Sequence, residues 1–161
     1  MQLGRHLSNL FGWRTKRQIV VIESDDWGSI RMPSLDIFSR LKQKGVAVDR
    51  GDAARYNQND TLADVADLQA LYETLSSYKD STGRSPVFTA VSLVANPDFE
   101  RIAASNFEEY HYELLPQTLS RYSREGVFDL WREGIAHQLF EPQFHGREHL
   151  NVAVWMRALQ A

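Results

Sequence analysis

Ile19-Val-Val-Ile-Glu-Ser-Asp-Asp-Trp-Gly28 opens as a β-branched apolar run and closes on two carboxylates and a glycine. A short run of this kind, apolar on both faces and bounded by turn residues, predicts a buried parallel strand over 18–24. Val87-Phe-Thr-Ala-Val-Ser-Leu-Val94 reads the same way and is stopped by Asn96-Pro97. A third extended segment, Leu139-Phe-Glu-Pro-Gln-Phe144, leads into His145. Helical patterns lie between these runs, and strands alternating with helices imply a parallel sheet with helices outside it. In such folds the active groups gather at the carboxyl ends of the strands. Asp25 and Asp26 follow the first strand, Asn96 the second, and His145 and His149 the third, so all of them are expected at one mouth.

The helices are read from periodicity and caps. Ser34 caps a helix over 32–42 with Leu35, Phe38 and Leu41 on one face, and Gly45 ends it. Residues 49–60 read as a polar loop whose Tyr56-Asn-Gln-Asn59 could meet a polar ligand. A long helix is predicted over 61–79, capped by Asp60 or Thr61, with Leu62, Val65, Leu68, Leu71, Tyr72 and Leu75 inward. Residues 99–112 hold a short helix or irregular chain. Helices are predicted over 114–122 and 128–139, and a last one over 152–159 capped by Asn151. At the start, Leu3, Leu7, Leu10 and Phe11 fall at helical spacing, which predicts a short helix packed on the domain.

Composition narrows the function. The 161 residues suit a single domain with a real core. The net charge of −3 argues against nucleic acid as a partner, since phosphate binding needs a basic surface. With no cysteine in the chain, disulfides and thiolate-bound zinc are excluded, and any metal ligand must be His, Asp or Glu. No apolar run approaches the roughly 20 residues of a membrane span, and the first residues lack the apolar core of a signal peptide. A cytoplasmic location is the expectation.

In Pro142-Gln-Phe-His-Gly-Arg-Glu-His-Leu-Asn151, His145 and His149 stand four apart. Two imidazoles and a carboxylate form the usual ligand set of a hydrolytic divalent ion, and a second carboxylate beside them suits a general base. Each motif alone is weak, because histidine pairs arise by chance and Asp-Asp usually marks a turn. Two carboxylates ending a buried strand are costly, however, unless a cation or several hydrogen bonds compensate them.

These residues resemble the polysaccharide deacetylases of the NodB-homology type, carbohydrate esterase family four. In that family a strand ends Thr-Phe-Asp-Asp-Gly, and Glu23-Ser-Asp-Asp-Trp-Gly28 stands in its place. Its His-Ser/Thr-x-x-His motif is matched in spacing by His145-Gly-Arg-Glu-His149. Phe140-Glu-Pro-Gln-Phe144 occupies the register of a preceding Gly-His-Glu-Ile-Gly-Asn, and Pro86-Val-Phe-Thr-Ala-Val91 is similar to the second strand. The similarity spans about residues 18–160. It implies a parallel (β/α) barrel and removal of acetyl groups from an N- or O-acetylated sugar or glycan. It also implies one divalent metal, zinc first, with cobalt, nickel or iron suited to the same donors. Position by position, Asp25 becomes the catalytic base, and Asp26, His145 and His149 become the metal ligands. Beside these, Trp27 and Arg147 are expected to contact the substrate. Two departures stand out: Trp27 separates Asp26 from Gly28, and Gly146 replaces a hydroxyl residue that braces the histidine loop.

The family's arginine, aspartate and leucine–histidine motifs lie further on, so the resemblance presents this chain as the N-terminal portion of an incomplete barrel. The general acid is then expected beyond Ala161. His111 and His137 have no spacing that assigns them the role. An exposed sheet edge or the last helix would favour a homo-oligomer. Two alternatives remain. His145-x-x-Glu148-His149 also spells the inverzincin metallopeptidase pattern with Glu148 as base, although Pro142 and Gly146 oppose the helix it needs. The other alternative is a non-catalytic metal- or carbohydrate-binding module.

Overall fold

The computed structural model describes residues 12–161. The helix expected around Leu3 to Phe11 lies outside them. The chain folds as a mixed α/β structure. Its three parallel strands are β1 (Glu23–Trp27), β2 (Phe88–Leu93) and β5 (Phe140–Gly146), in the order β1-β2-β5. Between β1 and β2 run α1 (Leu35–Gln43), α2 (Ala54–Asn59) and α3 (Val65–Ser76). Between β2 and β5 the chain forms β3 (Ala95–Pro97), α4 (Phe99–Ala104), β4 (Tyr112–Leu114), α5 (Leu115–Arg121) and α6 (Val127–Ala136). β3 and β4 pair antiparallel as a separate ribbon, and α7 (Val152–Leu159) follows β5. The described strands form an open sheet. Among the described residues no helix is long and apolar enough to cross a membrane.

The core lies between the sheet and helices α3, α5 and α6. Leu68, Tyr72 and Leu75 of α3 meet Leu115, Leu119, Val127 and Trp131 from α5 and α6, together with Ala90 and Phe140 from the sheet. An aromatic cluster fills its centre. Trp27 meets Phe88 edge-on at 5.2 Å and Phe140 at 5.4 Å, and Trp131 lies 5.1 Å from Phe140. Each large ring adds buried apolar area and quadrupole contacts worth about 0.5–1.5 kcal/mol per pair.

Several predicted boundaries move. The first strand starts at Glu23, later than its apolar run suggests, because β2 offers partners only from Thr89 onward: Glu23 pairs with Thr89, and the Thr89 N–H donates to Ile22 O. Ile19, Val20 and Val21 precede the sheet and are exposed. The polar segment expected to be loop forms α2. The long helix starts at Val65, where Asp64 and Asp67 accept from each other's backbone N–H in a reciprocal box that Thr61 does not make. Ser34 and Asn151 cap α1 and α7 as predicted. Leu35 is exposed although its spacing placed it inward with Phe38. In α7, Val154 is exposed, Met156 is buried, and Trp155 meets Phe99 and Tyr110.

Candidate metal centre

Two strand ends on opposite sides of β2 build the site. Along β1 the pairing passes from Ser24–Ala90 to Trp27–Ser92, so β1 fits one residue more than β2 between the same two points. This bulge places Asp26 in the left-handed region at φ 60. Bulges bend the strand and re-aim a side chain, and Asp tolerates this region better than most residues. A strictly alternating strand would send Asp25 and Asp26 to opposite faces. The turn after it depends on Gly28 at φ 86, where a Cβ would meet Leu115 Cδ1 at 3.0 Å and Leu93 O at 3.3 Å. No other residue fits both that backbone and that space.

The histidine loop leaves β5 on the far side of β2. Asp26 Oδ1 lies 3.3 Å from His145 Nε2 and 3.2 Å from His149 Nδ1. The imidazole centroids are 5.2 Å apart. Three donor atoms, one from each residue, fall within 4.8 Å of one another. Asp26 Oδ1 is buried yet accepts no well-directed hydrogen bond, so the imidazole nitrogens converge near this oxygen without bonding to it. Tetrahedral ligands at roughly 2.0–2.1 Å from a zinc ion stand about 3.3–3.4 Å apart. The two Asp–His separations therefore fit ligands that share one small cation. The other carboxylate oxygen, Oδ2, lies 3.4 Å from Arg31 Nη2, and Arg31 also meets Asp60 at 3.3 Å and lies over the Tyr56 ring. Arg31 thus holds one oxygen of Asp26 and leaves the other to the histidines.

Asp25 is exposed, and its side chain makes no hydrogen bond or ion pair among the described residues. It lines a cavity of about 300 Å³ with Asp26, Trp27, Arg31 and Asp60. Arg31 also lines a second cavity, of about 220 Å³, together with Asn96, Phe99, Glu148, His149 and Trp155. Trp27 shows an edge to the first cavity, while its ring packs into the core. Arg147 lines neither cavity. It forms an ion pair with Glu148 and lies over Tyr110 and Tyr112, 4.7 Å from the Tyr112 centroid. The Glu148 side chain is buried in that pair, and its hydrogen bond holds the Arg147 guanidinium above its ordinary range. Burial, reinforced by the charge of Glu148, pushes the Tyr110 phenol up to about 12.

The structure thus brings Asp26, His145 and His149 together, sets Asp25 on the adjoining cavity, and turns Arg147 aside. His111 pairs with Glu109, and His137 ends α6; neither lines either cavity. Arg31 escaped the sequence reading, and Asp60 entered it only as a possible helix cap, because an ion pair between distant positions leaves no local pattern. Tyr56 was flagged only as part of a polar loop. No family model, curated protein or solved structure matches this chain.

Proposed function

We propose that the chain acts as a divalent-cation-dependent hydrolase that removes acetyl groups from an N- or O-acetylated carbohydrate. The observation that supports this most is the convergence of Asp26 with His145 and His149, more than a hundred residues away, onto one point at the carboxyl ends of β1 and β5. Aspartate and imidazole donors suit zinc first, and cobalt, nickel or iron next. A bound ion of this kind would polarise an acyl oxygen and lower the pKa of a water from 15.7 to about 7. Asp25, exposed and with its carboxylate free of competing partners, would serve as the base for such a water. Arg31 keeps the Asp26 carboxylate turned so that Oδ1 faces the histidines. Trp27 walls the cavity in which the acetylated sugar lies. The open three-stranded sheet is read as part of a (β/α) barrel of the NodB deacetylase type.

The peptidase reading loses ground on two observations. Residues 147–150 are not helical, and the buried Glu148 carboxylate is committed to the half-exposed Arg147. A base in that mechanism needs a helix to align it and a free carboxylate.

Asp25→Asn and Asp26→Asn separate base from ligand. In the protein assayed with an acetylated chitooligosaccharide, Asp25→Asn should retain stoichiometric zinc and lose at least 100-fold in turnover, within the 10²–10⁴ range of general-base catalysis. Asp26→Asn should lose the zinc itself. Loss of metal with the first variant and retention with the second would reverse the two roles.

A further inference from the structure

Asp26 and the two histidines come from opposite edges of the sheet, yet one short segment touches both halves. The Val94 N–H donates to Gly146 O at 3.3 Å, and the Ala95 N–H donates to Arg147 O at 2.8 Å. These bonds fix the backbone between His145 and His149. The next residue, Asn96, turns its side chain to the other half. Its Oδ1 accepts from the Ile30 N–H at 2.9 Å, and its Nδ2 donates to Gly28 O at 2.8 Å and to Thr118 Oγ1 at 3.3 Å. Gly28 and Ile30 belong to the turn that leaves Asp26, in which the Ser29 N–H donates back to Asp26 O.

Asn96 is 3% exposed and held on its other side by a polar chain. Thr118 donates to Glu113, and Glu113 accepts from Arg121, which also meets Glu100 at 2.9 Å. An amide suits this position because a single planar group offers one acceptor to a backbone N–H and donors to a backbone C=O. Aspartate lacks the donor, and leucine lacks both functions. The residue thus acts as a strand partner for a turn that has none.

We propose that Asn96 is a positioning residue of the metal centre. By holding the Gly28–Ile30 turn from the strand segment that also holds the histidine loop, it sets Asp26 against His145 and His149. The inference rests on the metal reading above. Asn96 touches no donor atom, so its effect passes through the backbone that carries the strained Asp26. Partners that orient metal ligands typically contribute about 10–100-fold to metal affinity.

The test uses the 161-residue protein and zinc alone, with cobalt as a spectroscopic substitute. Asn96→Leu keeps the side-chain volume close to that of the amide and removes its hydrogen bonds. Val127→Ala destabilises the core through a residue outside both cavities and serves as the control. At a temperature where both are folded, Asn96→Leu should bind zinc roughly 10–100-fold more weakly than wild type and show a changed cobalt absorption spectrum. Val127→Ala should keep wild-type affinity and spectrum despite its lower Tm. An Asn96→Leu protein with reduced Tm but unchanged zinc affinity and cobalt spectrum would overturn the proposal and leave Asn96 a purely structural residue. If Asn96→Leu does not fold, Thr118→Val decides: it removes the hydroxyl that receives the amide and should weaken zinc binding several-fold, and unchanged binding would overturn the proposal. Wild-type protein that binds no zinc would instead overturn the metal reading itself.

Discussion

Tyr72 places a phenol among core side chains, where its hydroxyl donates to Leu130 O at 3.0 Å. Burial, with Glu133 adding to it, pushes this phenol up to about 12, above the ordinary value near 10. Because the folded value is the higher one, the stabilisation is fully present below about pH 10 and is lost as the pH rises through about 12. Urea unfolding across that window should show falling stability. Tyr72→Phe should flatten part of the fall and, at neutral pH, cost about 1 kcal/mol for the lost hydrogen bond. Tyr110 is raised in the same direction, so some slope should remain in the variant. An identical slope in both proteins would contradict the assignment. The cluster of Asp26, His145 and His149 is the part of the candidate site most legible in sequence, since its residues sit at strand ends and within spaced motifs. Asn96 was legible only as the end of a strand, because its hydrogen bonds to Gly28 and Ile30 join positions far apart in the chain. The left-handed conformation of Asp26 was not legible at all, since Asp-Asp looks the same with or without a bulge.

At the scale of elements, α6 is fixed by how closely it approaches α3 and β5. A Cβ on Gly134 would collide with the Tyr72 hydroxyl and lie 2.8 Å from Phe140 Cβ. Helix propensity alone favours alanine over glycine by about 0.8–1.0 kcal/mol. Overpacking against two core rings opposes this by about 1–3 kcal/mol or more. Gly134→Ala should therefore lower the urea midpoint by an amount equivalent to a net loss of up to about 2 kcal/mol. A stabilised variant would show that Tyr72 and Phe140 give way freely. The types of α1, α3, α6, α7, β2 and β5 were legible because caps or apolar periods mark them. Their boundaries were less so. Asp60, Thr61 and Asp64 are all competent caps, and only the reciprocal bonds with Asp67 select Asp64. The short α2 lacks an apolar stripe, and none of its residues is buried, so periodicity could not find it.

Across the whole molecule, the order β1-β2-β5 puts the Asp26 turn and the histidine loop on either side of one central strand. The sheet therefore sets the reach between the two halves of the site, while β3 ties them together. Alternation of strands and helices made the parallel sheet legible. The antiparallel β3–β4 ribbon was not, because its strands are three residues long and lie in segments read as a stop and as irregular chain. We propose that this arrangement holds one divalent ion between Asp26, His145 and His149. Its most direct test is an anomalous difference map at the zinc edge from crystals of the protein grown with zinc. One strong peak should lie about 2.0–2.2 Å from a carboxylate oxygen of Asp26 and from one nitrogen of each histidine, and it should vanish in His145→Ala crystals prepared in the same way. Zinc bound only elsewhere, or a peak that survives the His145→Ala change at full height, would contradict it.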